Sequence, residues 1–349
     1  MTVTVGICGF GKMGQIRAEA IEQHGIGEIK SVFDVNLPED CKYHVAGSID
    51  EIIQDPDIEA VFICLPNHFN KPKTIEALKA GKHVFCEKPP AFTAQDMREI
   101  QEVERASGKV LMYGFNHRQH GAIAKMKSIV DSRQFGSILW MRSRYGKSVD
   151  GDYLNTWRAN KELAGGGILL DQGIHMLDLL LYLSGKPFDE VHAMVSNMYW
   201  QTPGIEDNVF AIMRNSETGI TASVHSTMTQ WRHLFSLEVF MESGYMVLNG
   251  LKTSSGTYGD EILTIAKNRT TAPAATWEDE ERLTYHIDHS WAKEIELFFD
   301  SVKFGAPVIA GSSDQALEVM SLIDTIYAHD LHQSPHLADK LNMMVKEPI

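Results

Sequence analysis

The chain has 349 residues, 44% of them hydrophobic and 22% charged, the balance of a soluble globular protein long enough for two domains. Lys and Arg number 32 against 46 Asp and Glu, and a formal charge of −14 disfavours a nucleic-acid partner, although a local basic pocket could still take a small anion. No apolar run approaches the roughly 20 residues that span a bilayer; the longest candidate, GGGILLDQGIHMLDLLLYL, is broken by Asp171, His175 and Asp178.

The N-terminal stretch MTVTVGICGFG has no basic region and enters a strand at once, so no signal peptide is expected. Three of the four cysteines (Cys8, Cys64 and Cys86, but not Cys41) fall in apolar strands and read as reduced core residues. No CxxC spacing occurs, and His117 and His120 make no ligand set with Cys41, so no metal is expected. A cytoplasmic protein without membrane or nucleic-acid partners is the expectation.

The first 120 residues alternate strand and helix. TVTVGICGF is an apolar strand, followed by a helix from Lys12 to about His24. EIKSVFDV is a second strand, and VAGSIDEIIQD carries a short helix with Ser48 as its N-cap. EAVFICLP, HVFCEKP and KVLMYGFN read as strands, with KPKTIEALKAG and TAQDMREIQEVERASG as the intervening helices. Apolar strands separated by amphipathic helices predict a parallel, doubly wound sheet covered on both faces. Beyond about residue 120 the pattern changes. A helix near 121–133 and the strand GSILWMRSRYG precede a helix in AGGGILLDQGIH. DEVHAMVSNMYW, NVFAIMRN, GITASVHSTMT, LFSLEVFMES and YMVLNG then read as largely antiparallel strands at hairpin-like spacings. Helices over roughly 289–304 and 313–330 close the chain. The expected architecture is α/β: a doubly wound Rossmann domain over 1–120, then an α/β domain with a large, mostly antiparallel sheet over 121–349. With no linker between the halves, a tight junction holding the active cleft is expected.

Residues 9–14 read GFGKMG. Gly9 permits a tight turn, Gly11 lets the backbone approach a pyrophosphate, and Gly14 lets the helix pack on the strand. Phe10, Lys12 and Met13 complete the loop that presents the helix N-terminus to the phosphates. Asp34 ends the second strand 20 residues beyond Gly14, where its carboxylate would accept both ribose hydroxyls and repel a 2′-phosphate. Val35 and Asn36 follow, with no arginine to clamp such a phosphate, so NAD is expected over NADP.

Lys88 follows the fifth strand, at the strand ends where ligands bind in this type of sheet. A free lysine holds its proton too tightly for exchange at neutral pH; burial or the positive charge of an oxidised nicotinamide would loosen it. Pro89 and Pro90 restrict the backbone around it. On this segment alone, a surface lysine in a proline turn fits as well. Asp171 and His175, four apart in GGGILLDQGIHMLD, would share one helix face among Leu, Ile and Met, where a carboxylate and an imidazole must be paired or used. Gly165–Gly167 would let a ligand approach the backbone.

Together the GFGKMG loop, EKP at 87–89 and GGGILLDQGIH resemble the glucose–fructose oxidoreductase / inositol dehydrogenase (Gfo/Idh/MocA) family over nearly the whole chain. The resemblance implies the two-domain architecture above, a cis Lys88–Pro89 peptide, and Lys88, Asp171 and His175 as the catalytic set. It places Cys64, Leu65, Pro66, Asn67, Glu87, Lys88 and Asn116 with the cofactor. Arg118 would lie near substrate, where Lys88, Asp171 and His175 also act; Tyr153, Trp157 and Arg158, which precede the glycine run, read as its wall, although ordinary hairpin packing fits Trp157 as well. One position departs: LPNHFNKP puts Asn70 where the family usually has a histidine. The implied activity is NAD-dependent hydride transfer at a secondary alcohol or ketone of a sugar, inositol or nucleotide sugar. His175 would be the principal base, Lys88 would polarise the oxygen and share the proton, and Asp171 would orient Lys88 or bind a neighbouring hydroxyl. A glycosidase using transient oxidation, or a non-enzymatic NAD-binding regulator, is the alternative. A homodimer or homotetramer is implied as well.

Overall fold

The computed structural model describes residues 2–38 and 40–333. They fall into two units: the residues up to Gln119 together with His289–Met320, and His120–Asp288 with the residues from Ser321 on. The sequence assigned all of 121–349 to the second domain; residues 289–320 instead return to the first.

The first unit is a six-stranded parallel sheet. Its strands are β1 (Val3–Cys8), β2 (Gly27–Phe33), β3 (His44–Val45), β4 (Ala60–Ile63), β5 (His83–Cys86) and β6 (Leu111–Tyr113), in the order β3-β2-β1-β4-β5-β6. Helices α1 (Lys12–His24), α2 (Ile49–Gln54), α3 (Asn70–Lys79) and α4 (Ala94–Ser107) connect them. This is the doubly wound Rossmann order, whose ligand site lies at the carboxyl ends of the strands. Caps fix the helix starts: Ser48 accepts from the Glu51 amide, and Thr93 and Asp96 form a capping box. The return of 289–320 has a packing cause. Phe62 and Phe85 stack at 5.1 Å, and Phe298, from the helix Ser290–Phe304, meets them edge-on at 5.2 and 5.7 Å. Ile295, Phe298 and Phe299 are fully buried there, an apolar stripe that the strands alone would leave open to water.

The second unit contains α5 (Gly121–Asp131), α6 (Lys161–Ala164), α7 (Ile174–Ser184) and an eight-stranded sheet. Its strands are β7 (Ile138–Ser148), β8 (Glu190–Ser196), β9 (Asn208–Arg214), β10 (Thr221–Thr227), β11 (Thr229–Met241), β12 (Gly244–Asn249), β13 (Glu261–Lys267) and β14 (Glu281–Tyr285). The order is β14-β13-β12-β11-β7-β10-β9-β8, antiparallel throughout except for the parallel pair β7–β10. The last described helices are α8 (Ser290–Phe304) and α9 (Ser313–Gln333). One sheet face packs on α7, a helix apolar nearly all round and buried from Ile174 to Leu181. The other face exposes Met194, Phe210 and Ile212 beside a stack of Trp140 on Phe240 at 4.1 Å. Among the described residues no helix is long and apolar enough to cross a membrane, and all four cysteines are free thiols.

Candidate active site

The glycine loop of the first unit is tightly packed at Gly9 and Gly14 and open at Gly11. Gly9 has φ +91°, and a Cβ there would lie 2.4 Å from the Cys64 carbonyl oxygen, so the loop rests directly on the end of β4. A Cβ on Gly14 would lie 2.1 Å from the Gly9 carbonyl oxygen, which lets α1 start tight against the turn. Gly11 is different: nothing but the Asp34 carboxylate, at 3.9 Å, lies near its added Cβ. Gly11 is also the N-cap of α1 and offers no side chain to the first-turn N–H groups, while Lys12 beside it is exposed. Open backbone at a helix N-terminus suits a pyrophosphate. Asp34 accepts from the Phe10 amide at 2.6 Å and the Asn36 amide at 2.9 Å, which holds its carboxylate at the loop while Val35 stays exposed. Asp34→Ala is expected to raise the Kd for NADH by about tenfold, the worth of a charge-assisted hydrogen bond, and to narrow the gap to NADPH; fluorescence titration with both nucleotides measures it.

Lys88 is half-buried and follows β5, and the Lys88–Pro89 peptide is cis. Two buried groups frame it. Glu87 does not face outward: its carboxylate accepts from Arg17 Nε at 2.7 Å, and Arg17 Nη1 lies 2.7 Å from Glu294. Arg17 is fully buried between the rings of Phe85 and Trp291, at 4.3 and 4.8 Å from their centres. Burial opposes its charge, but Glu87 and Glu294 outweigh that and raise its pKa further. Gly114 must be glycine here, since a Cβ would lie 2.9 Å from both Arg17 and Glu87. The second group is Asn70, fully buried, whose Nδ2 donates to the carbonyls of Pro89 at 2.7 Å and Glu87 at 3.3 Å. Cys64, Leu65 and Pro66 are half-buried just beyond β4, with Asn67 buried after them. Asn116 is buried and donates to Ser290 Oγ at 3.1 Å; Arg118, two residues on in the same short helical turn, is buried as well.

In the second unit, Asp171 and His175 do not lie on one unbroken α-helix. Asp171 sits in a π-helical turn, Leu169–Gly173, and His175 in the first turn of α7. Asp171 accepts from Lys147 Nζ at 2.8 Å and Gln172 Nε2 at 3.3 Å, with Arg158 Nε at 3.8 Å. The Lys147 ammonium lies 5.7 Å from the centre of the Tyr153 ring, and Arg158 covers Trp157 at 4.4 Å. His175 is buried, its ring stacked 6.4 Å from Tyr145, and Tyr145 hydrogen-bonds Tyr258. Burial pushes the Tyr145 and Tyr153 hydroxyls well up and Tyr258 to about 12, so these phenols stay protonated at working pH. His233, whose pKa burial and Lys147 lower, stands against Tyr258.

Lys147, Tyr145, Tyr258 and Glu206 were not foreseen. Lys147 had a signal: it continues the buried face of β7 after Met141, Ser143 and Tyr145, and a lysine in that period calls for an anion. The glycine run also differs from expectation. Cβ atoms on Gly166 and Gly167 would strike Tyr327 Oη at 2.6 Å and the Glu206 backbone oxygen at 2.1 Å, so the run serves internal packing rather than ligand approach. Glu206, buried and raised in pKa by that burial, accepts from the Gly167 and Leu169 amides at 2.7 and 2.9 Å and from Tyr327 at 2.8 Å. It thereby holds the entry to the segment that carries Asp171 and His175.

Residues 3–115 match the model of the oxidoreductase family with an NAD-binding Rossmann fold, and residues 123–247 match the GFO/IDH/MocA C-terminal domain. The chain is 30% identical over 226 residues to 1,5-anhydro-D-fructose reductase of Ensifer adhaerens, covering 62% of this chain and 65% of that one. It is 36% identical over 154 residues to levoglucosan dehydrogenase of Pseudarthrobacter phenanthrenivorans, covering 44% of this chain and 39% of that one. The matched segments thus span less than two thirds of each relative. The fold matches a structure of levoglucosan dehydrogenase with NADH and levoglucosan at a TM-score of 0.83, with 23% identity, over 96% of this chain and 98% of that one.

Proposed function

We propose that this chain, which belongs to the Gfo/Idh/MocA oxidoreductase family, oxidises a secondary alcohol of a sugar, inositol or nucleotide sugar, or reduces the matching ketone, with NAD. The first domain is an NAD-binding Rossmann fold, and its glycine loop and Asp34 fit the dinucleotide. NAD, when bound, supplies the hydride acceptor. The observation that carries the substrate reading is the cluster around His175: Lys147, Asp171, Tyr153, Arg158 and the Tyr145–Tyr258 pair are donors and acceptors suited to a polyhydroxylated ring.

His175 takes the proton of the reacting hydroxyl, and Lys88 polarises that oxygen and shares the proton. Asp171, held by Lys147, accepts from a neighbouring hydroxyl and sets which carbon is presented. The test is a panel of inositols, free sugars, levoglucosan and UDP- or GDP-sugars with NAD, and 1,5-anhydro-D-fructose with NADH. NADH formation or consumption at the absorbance band with at least one member is the expected result. Release of nitrophenol from glycosides without net NADH would favour the glycosidase instead, and silence across the panel with NADH still bound would oppose both.

A further inference from the structure

The side chain at the position where the family usually carries histidine is an amide with both of its N–H groups engaged. Asn70 is the first residue of α3, 0% exposed. Its Nδ2 donates to the carbonyl of Pro89 at 2.7 Å and to that of Glu87 at 3.3 Å. These carbonyls flank Lys88 on either side. A carboxamide nitrogen carries two donors in one plane, so it can hold two nearby carbonyls at once; each imidazole nitrogen carries at most one, and the two diverge. The Glu87 carbonyl also receives the Cys86 thiol at 3.4 Å, and the Glu87 side chain is fixed by Arg17 at 2.7 Å. The Glu87–Lys88 and Pro89–Pro90 peptides are therefore both held by α3, and the Glu87 side chain by α1.

We propose that Asn70 is a positioning residue for Lys88: its buried amide pins the carbonyls of Glu87 and Pro89 and so sets the direction in which the lysine side chain leaves the end of β5. This rests on the reading above, in which Lys88 shares the substrate proton. The long, flexible lysine stem needs such a fixed base, because an error of about 1 Å at a reacting group can cost on the order of 100-fold in rate.

The test uses the full chain with NAD and the alcohol oxidised fastest in the panel. Asn70→Ala is expected to lower kcat about 10- to 100-fold with the Kd for NADH within about twofold. Asn70→His, which restores one donor, should regain about tenfold of that loss. Asn70→Ser, a milder change, carries the same expectation should the alanine variant fold poorly. Reductive ¹³C-methylation gives a substrate-free readout: the Lys88 resonance, assigned by its loss in Lys88→Arg, should broaden or shift in Asn70→Ala and return in Asn70→His. Unchanged kcat together with an unchanged resonance would overturn the proposal, as would an equal loss of kcat and NADH binding. Near-normal turnover in Lys88→Ala would instead sink the proton role of Lys88, leaving the resonance to decide the clamp.

Discussion

Lys88→Ala and His175→Ala are each expected to slow hydride transfer by about 10²- to 10⁴-fold, the range that a positioned acid–base group contributes. NADH affinity should hold within about threefold in both, because the proposed reading rests phosphate and ribose binding on Gly9, Gly11, Gly14 and Asp34. Transient kinetics at the NADH band, with NADH titration by fluorescence, separates the two effects. The split between kcat and KM carries the information. A residue that only grips substrate changes KM, whereas one acting on the proton as it leaves lowers kcat and kcat/KM together. Removing imidazole also leaves the neighbouring phenols, which burial keeps protonated and unable to accept the proton at neutral pH. The His175→Ala rate should therefore recover as pH rises, when hydroxide takes over from the missing base.

Arg17→Met should be the most destabilising single change in the first unit. Methionine nearly matches the stem in volume, but Glu87 and Glu294 would remain buried without the cation that bridges them. Breaking a buried ion pair by removing one partner costs about 3–5 kcal/mol, which for a unit of this size is on the order of a 10 °C fall in Tm. Adding Glu294→Gln to that variant should return part of the loss by removing one of the stranded charges. A fall of less than about 1 kcal/mol by calorimetry would mean that the triad is not the strut it resembles. Activity should fall as well, since Glu87 immediately precedes Lys88.

The outline of the fold was legible because its signals are local. The alternation of Val, Ile and Phe strands with capped helices gave the Rossmann half, down to Ser48 as N-cap and α1 ending at His24. The less legible parts depend on distant partners. The strand β14 is largely polar and exposed, and only its pairing with β13 marks it as sheet. The parallel β7–β10 pair depends on which strands meet, which hairpin spacing does not encode. The helix Ser290–Phe304 showed its apolar stripe, but not that Phe62 and Phe85 would receive it. At the site, motif spacing singled out Lys88, Asp171 and His175. It could not reveal that Asp171 would be held by Lys147, a residue on another element 24 positions earlier. Arg17 lies between Gly14, Ala18 and Ile21 on the buried stripe of α1, a cation where period 3.6 demands an apolar residue. That conflict was readable and pointed to a buried carboxylate.

The central claim is that Lys88 and His175 each serve the hydride-transfer step rather than cofactor binding. The kcat of the Lys88→Ala/His175→Ala double variant tests it most directly, set against the two single variants with the same alcohol and saturating NAD. Residues that serve the same chemical step are strongly non-additive, so the double variant should turn over no more than about threefold slower than the slower single one. A double loss equal to the product of the two single losses, or a single variant with a near-normal rate, would contradict the account.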